Sequence, residues 1–118
     1  MSATYLKEPS GLCVINISGI MTGQDQKEVE NFGRTTIDRS EKIKVLIMAE
    51  AFSGWAKKGD WDNLNFMLEY DPYIEKIAVV ADEKWRDDML MFLGAGLRNA
   101  IVKFSPIDQE SNARTWLG

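Results

Sequence analysis

Short apolar runs alternating with capped, amphipathic segments predict an α/β domain. The expected architecture is a single domain over residues 1–118, with about five strands in a mostly parallel sheet and about four helices. Three observations carry this. Val45-Leu46-Ile47-Met48-Ala49 and Ile77-Ala78-Val79-Val80-Ala81 are short, uninterrupted, partly β-branched runs, typical of parallel strands covered on both faces. Helix-start signals follow the strand candidates at Thr22, Asp60, Asp82 and Ser105. The chain's 118 residues suit one domain of roughly 100–200 residues.

Thr4–Lys7 and Leu12–Ser18 are strand candidates joined by Glu8-Pro9-Ser10-Gly11, with Pro and Gly where turns use them. The first should be an antiparallel edge, and the second should end at Gly19. Thr22-Gly23-Gln24-Asp25 has capping-box spacing and opens a helix to about Arg39, with Val29, Phe32, Gly33, Thr36 and Ile37 on its inner face. Val45–Ala49 is the next strand, and Glu50-Ala51-Phe52-Ser53-Gly54 reads as the loop after it. Asp60 caps a helix Trp61–Tyr70, which Asp71-Pro72 terminates. After the strand Ile77–Ala81, Asp82 caps a helix from about Glu83 to Leu93, closed by Gly94 and Gly96. Ile101–Phe104 is the last strand. Ser105-Pro106-Ile107-Asp108 reads as a second capping box with proline at N1, opening a helix to Leu117. The order ββαβαβαβα implies right-handed crossovers.

Composition removes many functions. There is no histidine and one cysteine, so histidine-based triads, Cys-His catalysis and histidine-ligated metal or haem are excluded by counting. A net charge of -4 with scattered Lys and Arg argues against nucleic acid. The N-terminal residues carry no apolar run suited to a signal peptide, and nothing approaches the ~20 apolar residues of a membrane span. A cytoplasmic chain is the expectation.

Candidate chemical sites mostly reduce to ordinary structure. Gly54-Trp55-Ala56-Lys57-Lys58-Gly59-Asp60-Trp61 lies where a phosphate loop would sit, but Asp60 and Trp61 replace the Lys and Ser/Thr that meet phosphate and magnesium. Gly94-Ala95-Gly96 lacks the third glycine of a dinucleotide fingerprint and follows a helix. The Asp87-Asp88 pair diverges by about 100° around a helix, so the two cannot converge on one bond. Cys13 reads as a buried small hydrophobe. No catalytic residue, metal ligand or cofactor is assigned, and an enzyme is not expected. Ser53 lies at the C-terminal edge of a central strand and is a possible phosphorylation site, against the plainer reading of a turn serine.

The strongest signal is apolar excess. Of four Trp, six Met and five Phe, nine fall on two helices and the loop before them. In Trp61–Tyr70, Trp61, Leu64 and Leu68 form one stripe, while Phe66, Met67 and Tyr70 lie outside it. In Glu83–Leu93, Trp85, Met89, Phe92 and Leu93 suffice for a core face, yet Leu90 and Met91 extend the apolar surface around the cylinder. A domain this small should not cover both helices by itself. Phe52 and Trp55 would gate an apolar groove between them, and Lys57 and Lys58 would meet an acidic head group. A homodimer interface on the same surface is the competing reading.

Ile77-Ala78-Val79-Val80-Ala81-Asp82-Glu83-Lys84-Trp85, Gly54-Trp55 with Asp60-Trp61, and Phe104-Ser105 followed by Ala113-Arg114-Thr115-Trp116-Leu117 together resemble the SpoIIAA-like proteins of the STAS superfamily. The resemblance runs from Leu12 to Leu117. It implies a small α/β domain whose βα units wind as a right-handed superhelix, with no enzymatic activity. In this subgroup it implies a carrier of lipophilic ligands, and among more distant STAS cousins an anti-sigma antagonist switched at a serine. Here Phe52-Ser53-Gly54 keeps only the Ser-Gly of that switch sequence. The expected function is therefore a non-enzymatic binder of a lipophilic small molecule at Phe52, Trp55, Trp61, Leu64, Met67, Leu68, Trp85, Met89 and Phe92. A homodimer is the expected assembly, a STAS-type interaction module regulated at Ser53 is the alternative, and weak membrane-surface association through Trp55, Trp61 and Lys57-Lys58 is the third reading.

Overall fold

The computed structural model describes residues 3–8, 12–36, 42–55, 71–94 and 100–118. Five strands, β1 (Ala3–Lys7), β2 (Cys13–Met21), β3 (Ile43–Trp55), β4 (Ile74–Ala81) and β5 (Ile101–Pro106), form one sheet in the order β1-β2-β3-β4-β5. The β1–β2 pair is antiparallel and the other three pairs are parallel. Three α-helices accompany them among the described residues: α1 (Gly23–Thr36), α2 (Arg86–Phe92) and α3 (Glu110–Leu117). The expected helix Trp61–Tyr70 lies outside the described residues. No described helix is long and apolar enough to cross a membrane.

Strand alternation divides the core into two layers. Ile15, Ile17, Val45, Ile47, Ile77 and Val79 point to one face, where Val29 and Phe32 of α1 and Met89 of α2 cover them. Val14, Leu46, Ala78 and Val80 point to the other face and meet Ala113 and Leu117 of α3. The strands advance across the sheet in one direction, so crossovers of one hand place their helices on the same face. Both α1 and α2 obey that rule. α3, which follows β5, covers the opposite face. There Lys76 donates from Nζ to the Trp116 carbonyl at 2.8 Å and lies 5.0 Å over the Trp116 ring.

The capping box at Thr22 forms as expected. The Asp25 amide donates to the Thr22 hydroxyl at 3.2 Å, and the Asp25 carboxylate accepts from the Thr22 amide at 2.9 Å. This reciprocal pairing satisfies helix-end donors that would otherwise lack acceptors. Asp82 also caps, accepting from the Lys84 amide at 3.0 Å, though the first turn after it (Glu83–Trp85) is 3-10 and α2 proper starts at Arg86.

The second capping box does not form. Ser105 is buried and stands opposite Val80 in the ladder, while Pro106 is extended at φ -63, ψ 164 and caps through no side chain. Strand pairing carries two residues further than expected, and a 3-10 turn at Ile107–Gln109 leads into α3. Strands β2, β3 and β4 also outrun their expected lengths. β4 starts at Ile74, after a 3-10 turn at Asp71–Tyr73.

Thr22→Ala removes one acceptor from the first turn of α1 and should lower stability by about 1 kcal/mol. The check is a urea denaturation midpoint that falls with an unchanged slope.

Candidate functional site

The site is made by the part of β3 that runs past its neighbour. β4 ends at Ala81 opposite Ala49, but β3 continues to Trp55, paired on β2 alone. Two irregularities allow this. Ala49 and Glu50 together stand opposite Ile17, and Ser53 is an extra residue between the pairs Gly19–Phe52 and Ile20–Gly54. Bulges of this kind bend a strand and turn its side chains. Gly19, at φ 65, sits at the second one and takes a conformation that L side chains rarely adopt.

The extension carries Phe52 and Trp55 against Trp85 and Phe92. Ring centroids of Phe52 lie 4.8 Å from Trp55 and 5.0 Å from Trp85, both edge-to-face. Trp55 lies 6.1 Å from Trp85, edge-to-face, and 5.2 Å from Phe92, tilted. These are the separations at which aromatic pairs attract beyond simple burial. Gly54 makes the approach possible, since a Cβ there would stand 3.3 Å from Cη2 of Trp85. Outside the rings, Lys84 holds its ammonium 5.7 Å over Trp85.

The cluster is graded in burial. Phe52 is 6% exposed and Met89 is 2% exposed, so both are core residues. Phe52, expected at the gate, packs edge-to-face on Trp55 and Trp85 at the base of the cluster. Trp55, Trp85 and Phe92 are only partly buried, and Met91, next to Phe92 in the sequence, is 76% exposed. The indole Nε1 atoms of Trp55 and Trp85 are themselves buried, and neither has a hydrogen-bond partner among the described residues. The other expected site residues, Lys57, Lys58, Trp61, Leu64, Met67 and Leu68, lie outside the described residues.

Ser53 is exposed, as a modification site requires, but it belongs to β3 and not to a loop. On the other side of the sheet, Thr4, Asn16, Ser18, Met48 and Glu50 border an open cleft of about 220 Å³, mixed in polarity and separate from the aromatic cluster. Among the described residues no group of three or more Cys, Asp or Glu is placed to hold a metal ion.

A family model described as SpoIIAA-like matches residues 12–118. The chain belongs to the SpoIIAA-like family. Among solved structures, the SpoIIAA-like chain is similar to an uncharacterized protein of the DUF3478 family with a SpoIIAA-like fold from Shewanella loihica. The TM-score is 0.75, with 14% identity over 99% of this chain and 93% of that one. At that identity the likeness concerns the fold. No curated protein matches by sequence. Within this SpoIIAA-like domain the aromatic cluster, with a buried base and a partly open rim, is the described feature that core packing alone leaves incomplete.

Two features of the cluster were hidden in the sequence. The extension of β3 was masked because polar Glu50 and Ser53 interrupt the apolar run, and both are bulge residues. The lone indole donors follow only from ring packing. Gly54 next to Trp55 was the available signal for close backbone approach. Gly54→Ala, at φ 119 and in contact with Trp85, should cost about 1–3 kcal/mol of strain. It should also displace Trp85, read as loss of near-ultraviolet circular dichroism with the far-ultraviolet spectrum preserved.

Proposed function

We propose that this domain binds a lipophilic small molecule against the partly open surface of Trp55, Trp85 and Phe92, without catalysing a reaction on it. The observation that carries this is the set of ring contacts among Phe52, Trp55, Trp85 and Phe92, three of which are only partly buried: aromatic surface that the protein leaves incompletely covered. Partly open aromatic surface of this kind suits an apolar ligand site.

The magnitude is adequate. Burial contributes about 25 cal/mol per Å², so roughly 400 Å² of ligand surface gives about 10 kcal/mol gross. Lost translational and rotational freedom costs at least about 4 kcal/mol. The remainder corresponds to dissociation constants of order tens of micromolar.

Gentle native mass spectrometry of the purified protein, with Trp fluorescence titrations against medium-chain amphiphiles, tests the reading. The expected result is a bound small molecule or a saturable fluorescence change, reduced at least tenfold in affinity by Trp55→Ala or Phe92→Ala in protein that remains folded. Bare mass with no fluorescence response would remove the ligand and leave a second copy of the chain as the cover. Sedimentation equilibrium would then show a dimer that the same substitutions weaken.

A second reading, an interaction module regulated at Ser53, is favoured by the exposed bulge position of that hydroxyl. A phosphate there adds between about -1.5 and -2 charges at pH 7. Ser53→Asp should alter capture of a protein partner while leaving the thermal midpoint within a few degrees of the parent. Identical capture by both forms removes this reading.

A further inference from the structure

We infer that the cleft on the α3 side of the sheet is a second binding site, one that takes a small organic cation. Glu50 would hold a primary ammonium there, and Thr4, Asn16 and Ser18 would meet a hydroxyl or amide of the same molecule. Thr4, Asn16 and Met48 stand in one row across β1, β2 and β3, as successive partners in the ladders. The next partner in that row is Val80, which packs with Ala113 and Leu117 of α3. Cover by α3 therefore thins at Met48, which is partly buried, while Thr4, Asn16, Ser18, Glu50 and Ala51 are exposed. Together they border about 220 Å³ of open space. The cleft sits toward the carboxyl ends of two parallel strands, where open α/β sheets bind ligands. It also sits at the first bulge of β3, a feature that re-aims side chains and is common beside functional sites.

The lining decides the class of ligand. Inner strands of a parallel sheet usually read as continuous apolar runs, and Asn16, Ser18 and Glu50 break that pattern at the cleft. Their side chains, and that of Thr4, make no hydrogen bond or ion pair with another described residue, so their donors and acceptors are available to a bound molecule. Met48 and Ala51 add apolar wall. Glu50 is the one ionisable group among the described lining residues, and no lysine or arginine stands with it. The cleft is therefore negative, which attracts an ammonium and repels a carboxylate or phosphate. It lies on the opposite face of the sheet from Phe52 and its partners, so the two sites stand or fall separately.

The experiment follows the backbone amide signals of nitrogen-15-labelled protein during titration with 4-amino-1-butanol, 1,4-butanediol and 4-hydroxybutyrate. The three share a chain and a hydroxyl and differ in charge. The amine should give saturable shifts centred on Asn16, Ser18 and Glu50. It should bind at least about threefold more tightly than the diol, within the range of an exposed ion pair. Added salt should narrow that ratio, and Glu50→Gln, checked for an unchanged thermal midpoint, should bring amine and diol to equal affinity. Equal affinity of amine and diol for the parent protein overturns the inference, as does tighter binding of 4-hydroxybutyrate. Amine shifts of the same size at the exposed acids Asp87 and Asp88 of α2 also overturn it, because they mark general attraction to an acidic protein. Absence of saturable shifts with all three removes the site, and leaves the lipophilic reading of the opposite face untouched.

Discussion

Parallel pairing of β3 with β2 beyond the point where β4 stops is the constraint on which the aromatic site depends. A strand that ended at Ala49, level with Ala81, would leave Phe52 and Trp55 on a connection with no fixed direction. Because β2 itself runs to Met21, β3 has a ladder to follow for six residues more, and the pairs Gly19–Phe52 and Met21–Trp55 fix where those rings emerge. The ladder alone would alternate side chains strictly between the faces. The two bulges break that alternation, and the one at Ser53 leaves its hydroxyl exposed beside buried Phe52 and Gly54. Positive φ at Gly19 and Gly54 is the conformational requirement that goes with it.

The one-directional strand order then determines what packs on this extension. Crossovers of a single hand put α1 and α2 on one face, so the layer above Ile15, Ile47 and Val79 is built by chain segments that each return to the sheet. α2 reaches the extension through the 3-10 turn at Glu83–Trp85, which Asp82 caps, and that turn delivers Trp85 to Gly54. The opposite face is served by α3 alone among the described helices, anchored by Ala113 and Leu117 in the core and by Arg114, whose guanidinium lies 3.4 Å from Glu8. An open mixed cleft at Thr4, Asn16 and Met48 is the consequence of that thinner cover.

The fold was legible because its strongest signals are local. Val45–Ala49 and Ile77–Ala81 are buried on both faces, and their uninterrupted apolarity announces this without any tertiary knowledge; Thr22 and Asp82 announce the helices after their strands through side-chain caps. Strand ends were less legible, because pairing partners set them. Ser105 and Pro106 carry the chemistry of a helix start, yet the ladder to Val80 and Ala81 wins, since a buried position opposite a paired strand outweighs a cap that solvent or a 3-10 turn can replace. In the candidate site, aromatic and methionine content pointed to the turn and helix that carry Trp85, Met89 and Phe92, but could not separate Phe52 and Met89, which are core, from Trp55, Trp85 and Phe92, which are only partly buried. That division depends on how far a bulged strand tilts, and no periodicity encodes it.

The choice of rings in the cluster carries a polar cost that phenyl groups would not. Phe52 and Phe92 show that phenyl groups fill two of its four positions, both in contact with Trp55. An indole at the other two adds area, but also a donor whose burial without an acceptor costs about 1–3 kcal/mol. Natural chains rarely keep such groups in a fold of marginal stability unless something offsets them. Packing against Gly54 accounts for the far edge of Trp85, Cη2 and Cζ3; it does not account for Nε1.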